Sequence, residues 1–201
     1  MAAPRQLTDQ GQERKTQLLD EATRLFAEHG YADTRIIDIC EAAGVAKGLF
    51  YWYFDNKEAL FGELVRSMRL RLRRAQAAAI DPLDDPLTQN RRAAEASVRF
   101  LAEHSAFFSV LEGARSDRSV NATVGALRRE GADEHVADTA RLISHAQRLG
   151  QVPDQHDAIL LAHGVVVTVA HYAQLHRGGR IDLDVDDLAR FVGQWVVNAL
   201  G

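Results

Sequence analysis

Residues 34–57 read TRIIDICEAAGVAKGLFYWYFDNK, and their spacing decides the fold. Asp33 and Thr34 offer capping side chains for a helix over about 35–43. Ile36, Ile39, Cys40 and Ala43 give that helix one apolar stripe. Gly44 breaks it, and Val45 is expected to be buried in the turn. A short helix over about 46–53 follows, anchored inward by Phe50 and Phe54, four residues apart. Asp55 and Asn56 then punctuate, and Lys57 opens a long helix to about residue 79. Helix, Gly-Val turn, short helix is the helix-turn-helix plan. The second helix carries Lys47, Gly48, Leu49, Tyr51, Trp52 and Tyr53 around its outside. An exposed aromatic set beside a lysine is costly unless it meets a partner. On a recognition helix, Lys47 suits guanine acceptors or a phosphate, and Leu49 suits thymine methyls. Gly48 lets the backbone approach closely, Tyr51 and Tyr53 suit phosphates, and Lys57 at a helix start suits another.

Working outward, Leu18, Ala22, Leu25 and Phe26 predict a helix over about 13–29, ended by Gly30. Residues 1–12 carry no periodic pattern and are expected to be disordered. Asp81-Pro82-Leu83-Asp84-Asp85-Pro86 is the clearest break in the chain. Helices are expected over about 87–104 and 106–115. A long one, with room for a kink between Ser116 and Gly131, reaches about Leu149. Two more, over about 154–177 and 184–200, close the chain. No strand alternation and no internal repeat appears, so the predicted class is all-α: an N-terminal three-helix DNA-binding domain over 13–65 and a larger helical domain over 66–201.

With 46% apolar and 26% charged residues among 201, the composition is that of a globular chain that can bury a sizeable core. The net charge of −4 does not suggest nucleic acid. The first 75 residues, however, carry 12 Lys and Arg against 11 Asp and Glu, and the remainder 12 against 17. The single cysteine, Cys40, excludes an intrachain disulfide and suits a reducing compartment. The polar N-terminus is unlike a signal peptide. The stretch 159–173, interrupted by His163, Gly164 and His171, is expected to be too short and polar to span a bilayer. A cytoplasmic chain with no membrane role is the expectation. The eight histidines lack metal-ligand spacing, so neither metal nor cofactor is expected.

The segment RKTQLLDEATRLFAEHGYADTRIIDICEAAGVAKGLFYWYFDNKEALFGELV resembles the DNA-binding domain of the tetracycline-repressor (TetR) family. The marks are Ala22-x-x-Leu25-Phe26, Gly30-Tyr31, the Ala43-Gly44-Val45 turn and Tyr51-x-x-Phe54-x-Asn56-Lys57-Glu58-x-Leu60. The resemblance implies DNA contacts at Thr34 and Arg35, at Ala46, Lys47 and Gly48, at Tyr51 and at Lys57. Arg35 stands where a small Thr or Ser is frequent, and Cys40 where Ala is usual. The implied function is a ligand-responsive repressor acting as a homodimer on a palindromic operator in double-stranded DNA, with a small-molecule effector of apolar character and no catalytic role.

Beyond residue 65 only the layout matches. An apolar effector pocket is expected around Phe100, Phe107, Phe108, Leu111, His145 and His163. The layout implies that the last two helices pair across a twofold axis, through Ile159, Ala162, Val166 and Val169 and through Leu188, Phe191 and Trp195. Arg66, Arg69, Arg71, Arg73 and Arg74 are expected to be a solvated helix face. An activator of the same fold, or an all-helical carrier or enzyme, are the alternatives. The enzyme lacks a nucleophile-base pair or metal motif.

Overall fold

Thr8 starts the first helix: its side chain accepts from the Gly11 backbone N–H at 3.2 Å, and Asp9 lies in the first turn. α1 (Asp9–His29) therefore begins four residues before the expected start at residue 13, correcting the expectation of disorder over 9–12. The computed structural model describes residues 8–116 and 122–201. Leu18, Ala22, Leu25 and Phe26 are buried as one face of α1, and Gly30, at φ +85°, ends it by donating to Phe26 O.

α2 (Ile36–Ala42) is capped differently from expectation. Arg35 is the capping residue, and Asp38 reaches back to accept from its backbone N–H at 3.1 Å. Thr34 instead points inward. Gly44, at φ +63°, makes the turn, with Val45 only half-buried, and α3 (Lys47–Tyr53) follows. Phe50 and Phe54 are buried as expected. Asn56 accepts from Ala59 N at 2.7 Å at the start of α4 (Lys57–Ala79). Phe26, Tyr31 and Phe61 form the aromatic centre of this region, with ring centroids 5.1–5.9 Å apart.

The Pro-Asp break ends α4. Asp85 then caps α5 (Pro86–Glu103), with proline in the first turn, where its missing N–H costs nothing. α6 (Ser105–Ser116), α7 (Ala122–Arg148), α8 (Ala158–Arg177) and α9 (Val185–Leu200) complete nine helices among the described residues, with no strand among them. Residues 117–121, within the stretch where a kink is expected, lie outside them. Asp157 and Asp184 cap α8 and α9. α5 packs on both α8 and α9. The close approach falls at Gly193, where a Cβ would lie 2.6 Å from Glu95 Cγ. Val98, Ile143, Leu188, Val192 and Val196 are fully buried.

The described residues divide into two units, the boundary falling inside α4 between Arg66 and Ser67. α6 and the start of α7, to Leu127, group with the first unit. α8 corrects a further expectation. At 20 residues and a mean hydropathy of 1.5 it is long and apolar enough, by length and composition, to cross a membrane, and only 22% of that stretch is buried. It is apolar on the side packed into the second unit and on the side that faces away.

Candidate nucleic-acid interface and cavity

α3 spans about two turns, or ~10 Å. Its buried side is Phe50, whose ring lies 5.6 Å from Phe54 and 5.4 Å from Tyr51. Its open side carries Ala46, Lys47, Gly48, Tyr51 and Trp52, with Leu49 half-buried between the two sides. Tyr51 and Trp52 are 49% and 46% exposed, unusual for side chains this large. Lys47 Nζ lies 5.9 Å from the centroid of the Tyr51 ring. A Cβ at Gly48 would meet nothing within 4 Å, so nothing inside the chain requires glycine there.

Three residues expected at this surface are turned to other work. Thr34 is buried, its hydroxyl donating to Gly30 O at 2.8 Å with Leu25 O at 3.2 Å. Lys57 donates to Tyr31 O at 2.7 Å, Thr34 O at 2.9 Å and Ala32 O at 3.2 Å, its ammonium 4.4 Å from the Tyr31 ring centroid. It fastens the start of α4 to the α1–α2 connection. Tyr53 donates its hydroxyl to Gly11 O at 2.7 Å, on α1. A Lys at a helix start has the same sequence signal whether it binds phosphate or a carbonyl cluster.

Arg35 remains outside, 75% exposed along its side chain, with its guanidinium on Asp38 at 2.6 and 3.0 Å. That partner holds the Asp38 carboxyl below the usual carboxylate range. Lys15 pairs with Glu63 at 2.6 Å, joining α1 to α4. Burial pushes the Glu63 carboxyl up, but Lys15 and Arg66 outweigh it and leave it below the ordinary value. Burial pushes the Cys40 thiol up, the opposite of an activated cysteine.

The second unit holds a half-open cavity of about 210 Å³ between α4, α5, α7 and α8. Its aliphatic wall includes Ile80, Leu142, Val165, Val166 and Val169, and its polar side Gln76, Asn90, Ser97, His135, Arg73 and Asp138. None of the six residues expected to line a pocket lines it. Phe100 is buried and stacks on His104 at 4.1 Å. Phe107 is buried beside Phe108, with centroids 5.2 Å apart, and Leu111 is half-buried. His145 and His163 are exposed. The aromatic residues make core, and the cavity is walled by smaller side chains that carried no distinctive pattern.

The arginine run lies at the surface as expected, with Arg66, Arg71, Arg73 and Arg74 exposed and Arg69 half-buried, but most of it is paired. Arg69 pairs with Glu134; Arg73 pairs with Asp138 at 2.9 Å and lies 3.8 Å from Glu134. Together they join α4 to α7, while Arg71 reaches His104 at 2.7 Å and Arg66 pairs with Glu63 at 3.0 Å. Burial, with Arg73 adding to it, holds the His135 imidazole below its ordinary value. Among the described residues no group of three potential ligands converges to hold a metal.

The pairing surface also differs from expectation. Ala162, Val169 and Leu188 belong to the interior, and Val166 is half-buried at the cavity. Ile159, Phe191 and Trp195 are exposed, together with Leu160 and Val167. A helix apolar on both sides gives periodicity no way to choose the inward one.

Residues 18–64 match the sequence model of the bacterial regulatory proteins of the tetR family. The transcriptional repressor KstR2 of Rhodococcus jostii is 47% identical over 53 residues, 26% of each chain. The transcriptional regulator TtgR of Pseudomonas putida is 39% identical over 64 residues, 32% of this chain and 30% of that one. The chain thus spans only about a quarter to a third of the length of these relatives. A TetR-like transcriptional regulator from Rhodococcus sp. RHA1 superimposes with a TM-score of 0.70 at 27% identity, covering 97% of this chain and 96% of that one. The fatty acid degradation regulator FadR of Bacillus halodurans shares the fold, with a TM-score of 0.80 at 21% identity over 92% and 99% of the two chains. Residues 18–64 thus form a helix-turn-helix domain of the tetR family, carried on an all-α fold like that of the TetR-like regulator from Rhodococcus sp. RHA1.

Proposed function

We propose that the protein is a sequence-specific DNA-binding transcriptional regulator, a ligand-responsive repressor that works in the cytoplasm as a homodimer on a palindromic operator. The observation that carries this reading is α3 itself. Within a segment matching the family, Phe50 and Phe54 hold the helix while Lys47, Gly48, Tyr51 and Trp52 stand on its open side. Those four, with Ala46 and Leu49, are the proposed base and phosphate contacts, and Arg35 adds one at the edge. Thr34, Tyr53 and Lys57 position the helices. The DNA-binding domain is residues 13–65, and residues 66–201 carry the effector and dimer functions. That the relative KstR2 is a transcriptional repressor favours repression over activation.

The dimer reading rests on the outward side of α8 and α9, where Leu160, Val167, Phe191 and Trp195 are exposed. A second copy would cover both patches at once, which also accounts for an apolar α8 without a bilayer. Ligand in the cavity would release DNA through its different affinity for the two states. A coupling of about 1–3 kcal/mol changes DNA affinity roughly 5–150-fold.

Enrichment of random duplex DNA on the purified protein at near-physiological salt tests the reading. A recovered palindrome, with half-sites about one helical turn or a multiple apart, is expected. Recovery of no preferred sequence overturns it.

A further inference from the structure

The cavity's polar side has a bias that its residue types alone do not reveal. Asn90 and Ser97 are each 2% exposed. Asn90 Nδ2 donates to Pro86 O at 2.9 Å, and a carbonyl there fixes which end of the amide is nitrogen. Ser97 Oγ donates to Ala93 O at 2.7 Å, so its hydrogen is used, and Gln76 Nε2 must be the donor in the 2.8 Å contact to Ser97 Oγ. What remains for a visitor is a pair of acceptors, Gln76 Oε1 and Asn90 Oδ1, which take no hydrogen bond from any described residue. The one cation on the wall, Arg73, already faces Asp138 at 2.9 Å and Glu134 at 3.8 Å.

A carboxylate entering this side would meet acceptors and a guanidinium already neutralised. An ammonium would lose its hydration and meet no uncompensated negative charge. Both are costly for a buried ion. A head that donates hydrogen bonds without carrying charge fits, with the aliphatic wall around its body. A cavity of about 150 Å³ holds a benzene-sized molecule, so about 210 Å³ suits roughly eight non-hydrogen atoms, with the end of a slightly longer tail at the cavity's open mouth.

We propose that this cavity binds small uncharged amphipathic molecules with a hydrogen-bond-donating head, of the primary amide or alcohol class, in preference to the matching carboxylates and ammonium ions. The proposal rests on reading the chain as a ligand-responsive regulator and names the ligand class of that cavity. Gln76 and Asn90 take the head, and Val165, Val166 and Val169 enclose the body.

Calorimetric titration of the full-length protein with octanamide, octan-1-ol, octanoate and octylammonium tests this. The amide and the alcohol are expected to bind at least tenfold tighter than the two ions. Val166→Phe should remove that binding while circular dichroism stays unchanged. Glu134→Gln combined with Asp138→Asn frees the Arg73 charge without changing shape. It should strengthen octanoate at least tenfold and leave octanamide within a few-fold. Octanoate binding wild type as tightly as octanamide, binding by none of the four, or octanamide binding unaffected by Val166→Phe, each overturns the proposal. Operator affinity measured on the same samples separates the two readings. Intact DNA binding without amide binding overturns the ligand class alone. Amide binding that leaves DNA affinity unchanged supports the ligand class and overturns its regulatory use.

Discussion

The α2–α3 segment and the α8–α9 pair are both helix pairs with large apolar side chains left outside, yet they expose them for different reasons. α3 is short and holds on through Phe50 and Phe54, so Tyr51 and Trp52 have nowhere inside to go. α8 and α9 are long and bury one full face each, and a second apolar face remains. In the first pair exposure follows from having too few positions to bury everything. In the second it follows from having more apolar positions than one chain can cover. A polyanion with groove edges suits the first, and a second apolar face suits the second.

The largest expected effect tests whether the two regions stand on separate cores. Phe50→Ala removes a fully buried ring and should cost about 3–5 kcal/mol. Hydrogen exchange should then show α1–α3 amides losing protection while those of α8 and α9 keep theirs. Equal loss in both places would break the distinction between two separately packed regions.

Next comes the division of labour between two lysines. Lys57→Met withdraws an ammonium from the carbonyls of Tyr31, Ala32 and Thr34 and should lower stability by about 1–3 kcal/mol. The slope of log affinity against log salt should hold. Lys47→Met should leave the melting temperature alone and reduce that slope by about one unit. The reverse pattern would return Lys57 to the DNA surface. Thr34→Val is smaller, about 1 kcal/mol for one buried hydroxyl hydrogen bond, again with the salt slope unchanged. Urea melts beside DNA titrations at several salt concentrations read all three.

Much of the first unit was legible because its signals are local. Gly44, the Phe50–Phe54 step and the stripe from Leu18 to Phe26 each act over a turn or two, where periodicity is informative. What failed there was direction: Thr34, Tyr53 and Lys57 have polar ends that suit a phosphate and a backbone carbonyl equally. In the second unit the break before α5 was legible from Pro82 and Pro86, and the start of α8 was placed about four residues early because its cap, Asp157, went unread; the cavity was not legible at all. Its walls come from four helices far apart in sequence, and Ala93, Val165 or Leu142 looks the same in a wall as in a core. The aromatic residues drew attention because they are large, and for that reason they filled space instead of leaving it.

The smallest effect probes the cavity's protonation state. Burial and Arg73 hold His135 below its ordinary value, so the unfolded chain takes up a proton at a higher pH than the folded one does. The associated stability is complete above about pH 6.5, the ordinary histidine value. It is lost as pH falls from there toward the folded value, because the unfolded state binds more protons in that window. His135 is only half-buried by its surface, and the neighbouring Asp138 and Glu134 carboxylates offset part of Arg73, so the loss should be modest. Melting temperatures from pH 7.5 to pH 5 should fall more for wild type than for His135→Gln, which keeps hydrogen-bonding capacity without titrating. Identical pH profiles would mean that the imidazole reaches solvent freely and that the polar side of the cavity is wetter than its buried Asn90 and Ser97 imply. In a wet cavity the octanamide-over-octanoate preference should shrink as well, because hydration would then soften the cost of bringing in a charge.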